Sequence, residues 1–204
     1  MLLDDLMPDF DATRVEHRVI DAPLPAVYDA ALHVDLLDLA RDNPLVRGIF
    51  ALRTGGERLV AAVRGGAPEP APAPETLRLA DLTDHGDWVL LGSDPPHEIA
   101  FGAVGRFWAG ETSWEQLGAA DFASFDRPGF ARIAANISLR PYGATRTLAS
   151  YECRTQATDD AARHAFLRYW TIVAPGVGVV LRSTLKLIDR EAARAPSPSP
   201  APPR

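Results

Sequence analysis

The sequence predicts an α+β fold in which a curved antiparallel sheet of six or seven strands wraps around a long C-terminal helix. Three observations carry that expectation. Between about residues 77 and 157, apolar residues recur at period two in runs bounded by turn residues. Between 159 and 193 they recur at helical spacing. The N-terminal part reads as one strand followed by two short helices. A sheet with one apolar face must cover it, and the last helix is the only long amphipathic element available.

The elements follow in order. Residues 1–13 read as an acidic arm whose Leu2, Leu3, Leu6, Met7 and Phe10 pack onto the domain. In Arg14 to Ile20, Val15, His17 and Val19 alternate with Arg14, Glu16 and Arg18, and the first trio is expected to face the core. Pro23 and Pro25 stop this strand, and a helix is expected over about 25–32. A second runs through Leu36, Leu37, Leu39 and Ala40, is interrupted at Pro44, and can resume through Leu45, Val46, Ile49, Phe50 and Leu52. Residues 65–75 are mostly Gly, Ala and Pro and read as a mobile surface loop.

Leu77 to Thr83, Trp88 to Ser93 and Glu98 to Trp108 read as strands. Thr112-Ser-Trp-Glu has capping-box spacing, which predicts short helix over about 113–125. Two further strands follow, about 129–140 and 145–157. In the first, Ala131, Ile133, Ala135, Ile137 and Leu139 form one apolar face, which predicts a sheet solvated on its other side. Thr158 reads as an N-cap for the last element. The helical phase survives Pro175-Gly-Val-Gly, so one reading is a single kinked helix. The preferred reading is a helix over about 159–173, a break, and a principal helix over about 176–193. Residues 194–204 read as a disordered Pro/Ser/Ala tail. The domain itself spans 14–193.

Composition narrows the function. The formal net charge of −6 gives no basis for phosphate neutralisation, so nucleic-acid binding is not expected. Lys186 is the only lysine, and positive charge is otherwise arginine. The single cysteine, Cys153, forbids an internal disulfide, and it reads as a small buried hydrophobe. No signal-like N-terminus is seen and no span of a membrane is expected, so the expected location is cytoplasmic. His17, His33, His85, His97 and His164 lack metal-ligand spacing, so no metal is expected. GxSxG, Walker A and GxGxxG patterns are absent, and no cofactor is expected.

The element order resembles the helix-grip superfamily (START-like, SRPBCC), which includes birch-pollen-allergen-like and polyketide cyclase-like proteins. Val15-Glu-His-Arg-Val-Ile-Asp-Ala-Pro-Leu-Pro-Ala-Val-Tyr is similar to that family's first strand, Ala-Pro turn and first helix. Glu98-Ile-Ala-Phe-Gly-Ala-Val-Gly-Arg-Phe-Trp resembles a central strand of a bacterial branch. The resemblance covers about 14–193 and implies a hydrophobic cavity between sheet and helix. Members bind lipids, steroids or aromatic polyketides, and some catalyse cyclisation or dehydration. It supplies no universal catalytic motif.

Six residues are the candidate ligand contacts. Arg106 and Trp108 share one face of their strand, opposite Ile99, Phe101, Ala103, Gly105 and Phe107. If that face looks inward, Arg106 can pair with a ligand carboxylate, phosphate or enolate; if outward, it is solvated surface. His17 is either a core histidine or an acid–base group. Tyr151 can pack or donate a hydrogen bond into a cavity. Phe101 and Trp170 complete the set. Gly176 and Gly178 read as turn residues. Glu152, Arg154 and Arg140 read as a solvated ion-pair group on the outer face.

Three functions stay open. The first is binding of a small hydrophobic or amphiphilic molecule in the cavity. The second is an enzyme of the cyclase or dehydratase type, using a dyad such as His17 with Tyr151. The third is a cavity-filled protein acting through partner contacts.

Overall fold

A computed structural model of the chain describes residues 1–35, 37–42, 47, 78–81, 87–108 and 113–194. The expected loop at 65–75, the tail from 195, and the apolar positions Leu45, Val46, Ile49, Phe50 and Leu52 lie outside the described residues.

The elements are α1 (Leu2–Leu6), β1 (Ala12–Ile20), α2 (Leu24–His33), α3 (Asp38–Asp42), β2 (Val89–Asp94), β3 (Glu98–Arg106), β4 (Ser113–Glu115), α4 (Ala119–Phe122), β5 (Ala131–Tyr142), β6 (Arg146–Ala157) and α5 (Asp160–Arg194). The six strands form one antiparallel sheet in the order β1-β6-β5-β3-β2, with β4 paired to the end of β3. The long helix α5 packs against β1, β6 and α2. This is the helix-grip layout that the element order predicts.

The register sets which residues share a face. Phe101, Ala135, Cys153 and Arg14 lie in one row across β3, β5, β6 and β1. Ile99, Ile137, Tyr151 and Glu16 form the next. These rows belong to the inner face, where Ile99, Phe101, Ala135, Ile137, Leu139 and Ala149 pack with Leu185, Leu187 and Ile188 of α5. The apolar face expected of β5 is the inner one.

Several expectations need correction. Leu79–Asp81, expected within a strand, is a turn of 3-10 helix. Ser113–Glu115, expected as helix, is a strand because it finds Val104–Arg106 to pair with. Helix α5 is continuous for 35 residues, about 50 Å at 1.5 Å per residue, and does not break before Pro175. Proline removes one helix hydrogen bond, to the carbonyl four residues back. Here that residue, Thr171, is exposed, so water can serve its carbonyl. The N-cap of α5 is Asp159 rather than Thr158: Asp159 Oδ1 accepts from the Ala162 amide at 2.8 Å, while the Thr158 hydroxyl donates to the Phe130 carbonyl at 3.0 Å. The Ala162 amide first, and then the Gly129 amide, which donates to Asp159 Oδ2, hold the Asp159 carboxyl below its ordinary range.

The outer face is not left to solvent. Leu3 and Met7 of the N-terminal arm pack there with Val104, Phe122 and Ala134 as a second core. Arg154 is not part of a solvated ion pair. It is buried and donates to Glu152, to Asp4 and to the Leu3 and Met7 carbonyls. Helix α5 is long and apolar enough to cross a membrane by length and composition; Phe166, Leu181, Leu185, Leu187 and Ile188 are buried in the protein, while Ile172 is exposed.

An aromatic site between the sheet and the C-terminal helix

The strands and the first half of α5 bring nine aromatic side chains into one continuous set of ring contacts. Tyr151 meets Phe101 at 6.0 Å between centroids, and Phe101 meets Trp88 at 5.7 Å. Trp88 reaches Trp114 at 6.4 Å, which stacks on Phe107 at 5.8 Å. Phe107 then contacts Trp108, Phe166 and Tyr169 at 5.2, 5.9 and 6.0 Å, and Phe166 contacts Trp170 at 5.8 Å. These spacings lie within the range of favourable offset and edge contacts.

Local sequence explains the placement. Phe101 and Tyr151 are inner-face positions of β3 and β6, fixed by the pleat. Phe107 and Trp108 follow the end of β3, and Trp88 precedes β2. Phe166, Tyr169 and Trp170 are three and four residues apart, so they share one side of α5. Phe101 and Phe166 are buried, but the other seven keep part of their surface accessible. From 167 to 177 no residue of α5 is fully buried. Small side chains at Ala135 and Cys153 separate Phe101 from Arg14 in its row.

Polar groups enter this face at two places. The Tyr151 hydroxyl has no hydrogen-bond partner among the described residues, and loss of hydration pushes its pKa up, so it stays protonated near neutral pH. Burial likewise pushes the Cys153 thiol up to about 12, so it is no nucleophile. Along β1 the inner face is charged. Arg14 pairs with Glu16 at 2.6 Å, Glu16 faces Arg182 at 3.3 Å, and Arg18 pairs with Asp189 at 2.6 Å. The Arg14 guanidinium lies over Gly178, where a Cβ would stand 2.8 Å from Nε. Gly178 therefore makes room inside a helix and is not a turn residue.

Of the six expected ligand contacts, Phe101, Trp108, Tyr151 and Trp170 fall in the aromatic set. Arg106 and His17 do not. Arg106 is exposed at the end of β3 on the outer face, paired in register with Ser113. His17 points outward with Val15 and Val19, the reverse of the expected face. Its Nδ1 lies 2.8 Å from Ser150 Oγ. A dyad of His17 with Tyr151 does not form, because the two side chains are on opposite faces of the sheet. Trp88, Phe107, Trp114, Phe166 and Tyr169 are members outside those six. A signal was available: all four tryptophans of the chain belong to the set.

Two clefts of about 350 Å³ each open elsewhere, beside the C-terminal half of α5. One is lined by Arg18, Leu39, Ser183, Lys186, Leu187, Asp189 and Arg190. The other lies among His33, Asp35, Asp38, Arg78 and Arg194. Among the described residues no cluster of side chains is suited to hold a metal ion.

The layout and the site define a helix-grip protein with an aromatic inner face. No family model and no curated protein matches the chain. Solved structures match over most of its length. A conserved protein from Geobacillus kaustophilus is 9% identical with a TM-score of 0.43, covering 90% of this chain and 96% of its own. Norcoclaurine synthase from Thalictrum flavum is 10% identical with a TM-score of 0.41, covering 90% and 88%. A protein from Mesorhizobium loti is 14% identical with a TM-score of 0.39, covering 88% and 98%. Likenesses this distant carry no functional weight.

Proposed function

We propose that the chain binds a small hydrophobic or amphiphilic molecule against the aromatic side chains between the sheet and the first half of α5. The observation that supports this reading is the joined but incompletely covered aromatic set. A core that existed only for stability would bury these rings. Seven of the nine instead keep accessible surface. A ligand removing about 200 Å² of apolar surface from water would gain about 5 kcal/mol before ordering costs. Tyr151 supplies one hydroxyl to orient it, in keeping with sites that combine an apolar lining with few polar groups.

An enzyme of the cyclase or dehydratase type gains no support from the expected dyad, since His17 lies on the far face. Native mass spectrometry of freshly purified protein tests the binding reading, together with a fluorescence titration of the tryptophans by a hydrophobic dye. A co-purifying apolar compound, or saturable quenching that lifts the melting temperature, is the expected result. Absence of a bound compound together with no saturable quenching would overturn it.

A further inference from the structure

We infer that the ligand of the aromatic site is an organic acid, its apolar body toward Phe101 and its carboxylate held by Arg14. The inference rests on the proposed binding of a small amphiphile there and names its chemical class. Arg14, Cys153, Ala135 and Phe101 lie in one row across four strands. At about 4.8 Å between strands that row spans about 14 Å. Its middle carries only a thiol and a methyl group, which leaves depth between the aromatic end and the guanidinium. Tyr151 stands diagonal to Arg14 on the neighbouring strand, within reach of a long side chain. Tyr151 and Cys153 are deep enough for burial to push both their pKa values up, yet both keep accessible surface. Deep side chains that keep accessible surface line an internal void.

The guanidinium is held in one orientation. Nε and Nη2 both donate to Glu16 Oε1, at 3.0 and 2.6 Å. The same edge lies over Gly178, where a Cβ would stand 2.8 Å from Nε and 2.9 Å from Nη2. Glu16 and the helix therefore take the side of the planar fork. Its end, Nη1 with the second proton of Nη2, is left for a carboxylate, which matches that geometry with two parallel bonds. Nη1 has no partner among the described residues. Glu16 is shared with Arg182 at 3.3 Å, so the group holds two cations against one carboxylate. Arg18 and Asp189, next along the same face, pair with each other and cancel. The Tyr151 hydroxyl stays protonated near neutral pH and is a second donor. A ligand that meets donors and a positive excess at this end is an acceptor and an anion, and an amine would be repelled.

The test is calorimetric titration of the whole protein at neutral pH with 2-naphthoate, its uncharged carboxamide and 2-naphthylmethylamine, three probes that share one aromatic body. The acid should bind about tenfold tighter than the carboxamide, and the amine more weakly than either. Raising NaCl from about 50 to about 500 mM should erode the acid's advantage and move the carboxamide's affinity by less than about twofold. Arg14→Met should cut the advantage to about twofold or less. Arg14→Lys, which keeps the charge without the fork, should leave about threefold. Glu16 keeps Arg182 in both variants. If Arg14→Met does not fold, the ratio of acid to carboxamide in the wild type and its salt dependence decide. Saturable binding of acid and carboxamide with equal affinity, or an advantage that survives Arg14→Met, would overturn the acid inference and leave the aromatic site standing. No saturable binding of any of the three would overturn the binding reading and this inference with it.

Discussion

The Trp114 indole lies against Gly105, its register partner on β3, so closely that a Cβ at position 105 would come within 2.5 Å of Cε3. The same Cβ would meet the Ser113 carbonyl at 2.8 Å, and that backbone atom cannot swing away. Gly105→Ala therefore has to push β4 outward and take Trp114 off Phe107 and Trp88. The expected outcome is a loss of about 1–3 kcal/mol in stability, as for other overpacked cores. Tryptophan emission should shift to the red and dye affinity should fall. Denaturant melts and fluorescence spectra check both parts; unchanged emission would show that Trp114 does not depend on this contact.

Tyr151→Phe separates ligand orientation from packing. The hydroxyl has no partner among the described residues, so its removal should leave the melting temperature within about 1–2 °C, while the ring contact with Phe101 is kept. A lost hydrogen bond to a ligand is worth about 0.5–1.5 kcal/mol, which is a two- to tenfold loss in affinity. A titration with a ligand that carries a hydrogen-bond acceptor reads this directly. If the variant melts well below the wild type, the hydroxyl is a structural group.

Alkaline pH tests the same face through Cys153. The thiol has an ordinary value of 9.0 and burial pushes it up to about 12. The neutral thiol is thus favoured in the folded chain, and this contribution is fully present below pH 9. Between pH 9 and 12 the unfolded chain has released the proton and the folded chain has not. Stability falls across that window by up to about 1.4 kcal/mol per pH unit. Cys153→Ala should flatten the fall seen by urea melts between pH 8 and 10.5, whatever its effect on stability at pH 7. Thiol reagents at pH 8 should react slowly with the native protein and rapidly after denaturation.

Strand β1 shows what the sequence carries and what it leaves open. Its period of two is plain in Arg14 to Ile20, and so is its place in the fold. The phase is not, because Val15, His17 and Val19 look like the core face and are the outer one. The charged trio turns inward because Glu16 meets Arg182 and Arg18 meets Asp189, residues more than 160 positions away. On strand β5 the polar partners agree with the pattern: Asn136 donates to Glu98 on the outer face while the apolar residues point inward. The aromatic site was legible where its members sit inside a regular element, as with Phe101, Tyr151 and Trp170. Trp114 was not, because a three-residue strand exists only through its pairing with β3. The path of α5 through Pro175 was likewise undecided, since it turns on whether the carbonyl of Thr171 faces water.

Arg154 joins the N-terminal arm to the sheet, and its removal should free that arm. Nη1 donates to the Leu3 and Met7 carbonyls at 3.2 and 3.0 Å, Nη2 to Asp4 at 2.8 Å and Nε to Glu152 at 2.7 Å. The opposite end of α1 is held by the Leu2 amide, which donates to Glu98 at 3.1 Å. Arg154→Ala takes a donor from the Leu3 and Met7 carbonyls and from Glu152 in a buried setting. The Met7 amide still serves the Leu3 carbonyl at 2.9 Å and the Thr13 hydroxyl still serves Glu152 at 3.4 Å, and the net cost is about 2–3 kcal/mol. Asp4 contributes less because its side chain is 55% exposed. Its bond to Arg154 lowers its pKa below 3.8, so that contribution is present above this value and lost as pH falls through the folded one. The expected signature is local: protease cleavage between Met7 and Asp11, and rapid amide exchange at Leu3 and Met7, with β5 and β6 still protected. Asp4→Asn should show the same pattern more weakly. If Arg154→Ala resists cleavage there, the apolar contacts of Leu3 and Met7 hold the arm without it.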